Sequence, residues 1–206
     1  MTLFCLLWVP VFYFFWRSLT GSKTSGWAWA LIAGSIVALV QFLNGPLIDP
    51  GGFGLSRWMS GFVDIVVLPV LVPLLVYLLF FALKIVAGSA DFAGFALLWI
   101  MPGAVVRSLT WSAIQHDLIL LVLVPVLWTA VAVGVPFFIN LMQNNLRPVI
   151  IVLCSLAILF VPFAAATAYW ALFSQQIMMS IIFFALAAAP MLTSVVTAFR
   201  KAGGGG

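Results

Sequence analysis

The sequence predicts an all-α fold: a polytopic bundle of about seven transmembrane helices, N-terminus outside and C-terminus cytoplasmic. Three observations predict it. Of 206 residues, 66% are hydrophobic and 6% are charged, with no Glu at all; a soluble domain carries roughly 25% charged residues and 45–50% apolar ones. The apolar residues form continuous runs, not the alternation of a membrane β-strand, so each run reads as a helix that satisfies its own backbone in lipid. Finally, Lys and Arg collect at the ends of the runs, where they set orientation.

The runs cover 2–16, 27–43, 61–84, 92–110, 118–139, 149–171 and 176–198. Crossing about 30 Å of hydrocarbon takes roughly 20 helical residues, so the first two are short. The first begins MTLFCLLWVP, without a positive leader or a small-residue cleavage site, and reads as a retained span rather than a signal peptide. In the second, Ala30, Gly34 and Ala38 recur every four residues, a stripe that lets another helix approach closely. The third opens with Asp64 inside RWMSGFVDIVVLPVLVP. A carboxylate is costly in lipid, but this one lies about one turn inside the boundary, and it is expected to pair with Arg107 or Arg57.

The fourth run contains Pro102-Gly103 and could re-enter instead of crossing, giving six spans. Charge arbitrates. With seven crossings, Arg17, Lys23, Lys84, Arg147, Arg200 and Lys201 fall inside, and Arg57 and Arg107 outside, six against two. A re-entrant fourth run gives four against four. The fifth run begins DLILLVLVP, faintly echoing DIVVLPVLVP of the third. The seventh is rich in Ala. Trp99 and Trp128 lie mid-run and are expected to pack against other helices, whereas Trp16, Trp27, Trp58, Trp111 and Trp170 sit near run ends, where indoles favour the interface. Prolines interrupt six runs and are expected to kink them. The glycine tail at 203–206 has the composition of a linker scar.

Chemistry is sparse. There is one histidine, His116, and four carboxylates, Asp49, Asp64, Asp91 and Asp117. No catalytic, cofactor-binding or metal-binding set emerges, and no cofactor is expected. Cys5 and Cys154 both lie in apolar runs and suggest neither a disulfide nor a metal site. The net charge of +4 is spread too thinly for a nucleic-acid patch. An outer polar rim is expected from Asn44, Asp49, His116 and Asp117, with Arg57, Asp64 and Arg107. No charge occupies the centre of a run, which argues against an ion-driven transporter.

Residues 83–103, LKIVAGSADFAGFALLWIMPG, resemble the signature region of the Yip family of multi-span membrane proteins, with Lys84, Gly88, Phe92 and Pro102 at comparable positions. The next span, VPVLWTAVAVGV at 124–135, is similar in texture, so the resemblance covers mainly 83–135. The chain departs from it in having Ala87-Gly88 instead of two glycines and extra spans at both ends. The resemblance implies a trafficking or scaffolding component with a five-span core.

The expected function is therefore a non-enzymatic integral membrane subunit or scaffold of a complex, in a prokaryotic cytoplasmic (inner) membrane. Its expected partners are membrane lipid and other membrane-protein subunits or further copies of itself. The alternative is a transporter or channel subunit moving lipid or a small apolar solute.

Overall fold

The computed structural model describes residues 2–21, 23, 26–43, 59, 62–83, 92–114 and 118–203. Among them the fold is all-helical, with seven helices: α1 Thr2–Thr20, α2 Trp27–Leu43, α3, α4 Phe92–Ile114, α5 Leu118–Asn144, α6 Pro148–Phe173 and α7 Ile177–Gly203. Helix α3 is composite, a π-helical Val63–Leu71 running directly into an α-helical Val72–Ala82. Three stretches are long and apolar enough to cross a membrane, Val122–Asn144, Pro148–Leu172 and Ile177–Gly203; Trp27–Leu39, Ile65–Phe80 and Phe92–Val106 are shorter apolar helices.

Side-chain contacts fix the direction of every helix. Phe15 and Phe199 rings lie 5.7 Å apart, so α1 and α7 end together. Only a short link separates α1 from the start of α2, where Trp29 meets Phe80 of α3 at 5.7 Å. Tyr77 of α3 in turn meets Phe92 of α4 at 5.4 Å. Helices α5 and α6 are joined by 145–147 and bridged by the Ser155 hydroxyl, 3.9 Å from Met142 Sδ. The turn Ser174–Gln176, with Gln175 at φ 59°, reverses the chain into α7. Successive helices therefore run in opposite directions through the bundle. Helix α4 continues unbroken through Pro102 for 23 residues, from one end of the bundle to the other, and makes no hairpin. All the helices that contain prolines likewise continue past them.

Two helices form the inside. Residues 92–100 of α4 and 127–135 of α5 are buried on every face. The other five surround this pair: α1 and α2 against α4, α3 against α4, α5 and α6, and α6 and α7 against α5. Buried positions favour small side chains, among them Ala130, Ala132, Ala164, Ala165, Ala166, Ala168 and Ala187. The large ones often point outward: Leu75 is 66% exposed, Leu159 72% and Met178 74%. So much contiguous exposed apolar surface is foreign to a soluble monomer, and close packing through small residues is how helices associate in lipid. Hydroxyls on the outer faces satisfy themselves on their own helix: Ser155 donates to Ile151 O at 2.8 Å, Thr193 to Ala189 O at 2.9 Å and Thr197 to Thr193 O at 2.7 Å.

The stripe on α2 packs inside the chain. Ala30, Gly34 and Ala38 are all buried, and Gly34 lies directly against the backbone of Trp99, so a Cβ there would collide with the Trp99 carbonyl. Gly134 of α5 is a second close approach, where a Cβ would sit 3.2 Å from Pro190 Cβ of α7 and 3.5 Å from Val161 Cγ1 of α6. Backbone cannot yield as a flexible side chain can, so Gly34→Ala should destabilise the bundle by about 1–3 kcal/mol. Thermal unfolding in detergent measures this. Gly203→Ala, with open space around it, should leave the transition unchanged.

Candidate functional site

The predicted outer rim falls where side chains are not described. Asn44, Asp49, Arg57, His116 and Asp117 lie outside the described residues, and of Asp64 and Arg107 only the backbone is described, in α3 and α4. The expected pairing of Asp64 with Arg107 or Arg57 therefore lies outside the described residues, as do Lys84 and Asp91. Two other places in the bundle concentrate polar function.

The first is a junction at mid-bundle, built around a proline defect. A nine-residue π-helical stretch, VDIVVLPVL, is long for a geometry seen mostly as single-turn bulges, frequently at functional sites. Its origin can be traced bond by bond. The Val72 N–H reaches back five residues to Val67 O. In the same register the Leu68 carbonyl would receive the N–H of residue 73, but that residue is Pro73, which has none. The Trp99 indole N–H fills the gap from α4, donating to Leu68 O at 3.0 Å. An apolar medium makes an unpaired carbonyl expensive, so the indole is the partner that α3's proline makes necessary.

A small cleft flanks this bond. It has about 20 Å³ of space and is lined by residues of α2, α3, α4 and α5, including Gly34, Leu68, Pro69, Gly103 and Trp128. That volume suits about one water molecule. Trp99 and Trp128 are both buried inside the bundle, as their mid-run positions suggest. Two further bonds tie helices together. The Trp8 indole N–H donates to Thr129 Oγ1 at 3.1 Å, and the Thr129 hydroxyl lies 2.8 Å from Val126 O and 3.1 Å from Pro125 O. The Ser180 hydroxyl of α7 donates to Ala168 O of α6 at 2.9 Å.

The second place is one end of the bundle. Arg17, Lys23, Arg147, Arg200 and Lys201 are the cations whose side chains are described, and all are exposed. The helix directions gather them at a single end: Arg17 and Arg200 close α1 and α7, Lys23 lies in the link to α2, and Arg147 precedes α6. Asn140, Asn144 and Asn145 add a polar cluster there, with Asn144 Nδ2 donating to Asn140 Oδ1 at 2.8 Å and Asn145 Nδ2 to Leu141 O at 3.1 Å. A cavity of about 480 Å³ opens at this end, lined by Phe14, Arg17, Ser18, Gly21 and Lys23. Sequence reasoning placed the cations on one side but missed the cavity, which depends on how the chain turns at Gly21. No group of three or more potential metal ligands occurs among the described residues.

No protein-family model matches the chain, and neither does any curated protein or any solved structure.

The proline account predicts a coupled pair. Trp99→Phe removes the donor to Leu68 O and should cost about 0.5–2 kcal/mol of stability in detergent. Pro73→Ala gives Leu68 O an N–H from its own helix, so Trp99→Phe should cost measurably less in that background. Equal costs in the two backgrounds, read from a double-mutant cycle, would sink the account.

Proposed function

We propose that the chain is an integral membrane subunit or scaffold of a membrane protein complex, non-enzymatic, crossing a prokaryotic cytoplasmic (inner) membrane seven times. The carrying observation is the filled interior. The first turns of α4 (92–100) and the middle of α5 (127–135) are surrounded by side chains, and the mid-bundle cleft is only about 20 Å³. Among the described residues that cleft is too small for a lipid or solute, whereas a rigid packed body suits a component that others dock on. The resemblance of residues 83–135 to the Yip family agrees with a scaffolding role.

The proposed orientation puts the N-terminus outside and the C-terminus in the cytoplasm. Its support is the gathering of the five described cations at one end of helices that alternate in direction, because Lys and Arg are retained on the cytoplasmic face. The Ser174–Gln176 turn then lies outside and the 145–147 link inside.

A second reading, a transporter or channel subunit for lipid or a small apolar solute, draws on the π-helical stretch beside the cleft, since broken helices line transporter sites. It requires α3 to move and enlarge the cleft.

Two measurements test the proposal. Crosslinking in native membranes followed by extraction in mild detergent should recover the chain with another membrane protein or with itself; a monomer under every condition overturns the subunit reading. Single cysteines at Gln175 and Leu146, with Cys5 and Cys154 replaced by Ala, should separate by side. An impermeant maleimide should label Gln175→Cys on intact spheroplasts and Leu146→Cys only after permeabilisation. The reverse pattern overturns the orientation.

A further inference from the structure

We propose that the cavity at the end of α1 binds the headgroup of an anionic phospholipid, with Arg17 and Lys23 holding the phosphate. The inference rests on the reading of the bundle as a membrane body and names a ligand for its cationic end. The cavity is an open hollow of about 480 Å³ at the surface of the bundle's end, so it can take a headgroup but does not enclose it. Its described lining combines two cations with Ser18, Phe14 and Gly21, and among the described residues includes no carboxylate. A guanidinium can hold two phosphate oxygens at once, and an ammonium supplies a mobile point charge beside it.

A helix C-terminus normally repels anions, because its last carbonyls are unpaired and carry the negative end of the dipole. At α1 two carbonyls of the closing turns are occupied. Trp16 O accepts the Thr20 hydroxyl at 2.8 Å, and Arg17 O accepts the Gly21 N–H at 2.9 Å. Gly21 has φ +65°, and nothing lies within 4 Å of where its Cβ would be. Glycine is favoured there by backbone angle, not by crowding. Lys23 lines the same cavity as Arg17 and Gly21.

The ligand's other half is written on α1. Phe4, Leu7, Val11 and Phe14 recur at spacings of three, four and three, and all are exposed, Val11 to 61% and Phe14 to 62%. Such spacing places them on one helix face, and Phe14 also lines the cavity. An apolar track that leads into a two-cation pocket fits an amphiphile: phosphate in the pocket, acyl chain along the stripe. A free phosphate ester would use only the pocket. Arg200 and Lys201 follow Phe199, whose ring is 5.7 Å from Phe15, and they add positive potential nearby.

The test uses the full chain in a neutral detergent, with lipid adducts counted by native mass spectrometry and thermal stability followed in parallel. Phosphatidylglycerol should bind and raise the melting temperature, and phosphatidylcholine should do neither at the same concentration. Glycerol phosphate should not compete at concentrations where phosphatidylglycerol saturates. Arg17→Gln/Lys23→Gln should weaken phosphatidylglycerol binding by at least about tenfold, from roughly 1 kcal/mol per basic residue near an anionic headgroup. Arg147→Gln, at the same end but outside the cavity, should bind as the parent does.

Equal binding of the two lipids, or full binding by the double variant, overturns the site. Effective competition by glycerol phosphate overturns the role of the acyl track. Either result leaves the membrane reading standing, which would itself fall only if the chain fractionated with soluble protein on lysis.

Discussion

The bundle depends on one constraint: every backbone polar group inside it must find a partner without help from water. The sequence makes this difficult by placing Pro69 and Pro73 within a single helix. A proline in mid-helix deletes a donor and leaves a carbonyl exposed. Helix α3 meets the first part of the problem by widening its register, as the Val72 to Val67 bond shows. A second helix meets the rest, through the Trp99 indole. That bond fixes α3 against α4, and α2 then closes on the backbone of Trp99, where Gly34 lets two backbones touch. Three helices are thus positioned by one carbonyl, one indole and one glycine.

The rest of the packing follows from size. In water, Leu and Ile would fill the core. Here Ala, Gly and Val crowd the inner surfaces of α5, α6 and α7, while Leu, Ile, Met and Phe face outward. The arrangement costs nothing where the surroundings are as apolar as the side chains, and it gains close contact between backbones. Gly134 marks a close approach on this side, where α5 meets Pro190 of α7 and Val161 of α6. Proline serves a different role there from its role in α3: its ring fills the space that glycine opens.

Much of this was legible in the sequence and some was not. Run length and composition suffice for an all-helical chain, because a long continuous apolar run has few other ways to satisfy its backbone. The mid-run positions of Trp99 and Trp128 suffice for burial, since an indole away from the interface needs a protein surround. The small-residue stripe of α2 left its partner open, within the chain or beyond it, and the backbone of Trp99 is that partner in this fold. The π-helical stretch was not legible. It depends on which carbonyl Val72 chooses and on an indole 31 residues away, neither of which appears in periodicity. The α1 cavity was hidden for a similar reason, since a positive φ at Gly21 is a property of the turn and not of the run. Asp64, the most conspicuous charge in an apolar run, falls within the π-helical stretch, and its side chain lies outside the described residues.

The bond between Trp99 and Leu68 also sets an order of events. A ribosome delivers α3 before α4, so the Leu68 carbonyl exists for a time before its partner has been made. During that interval α3 is an incomplete object: apolar along its length, yet carrying one group that hydrocarbon will not tolerate unaided. It can wait near the aqueous boundary, hold a water, or remain with the insertion machinery until α4 emerges. The two helices are therefore a natural unit of biogenesis, and a chain truncated between them would present quality control with a recognisable flaw.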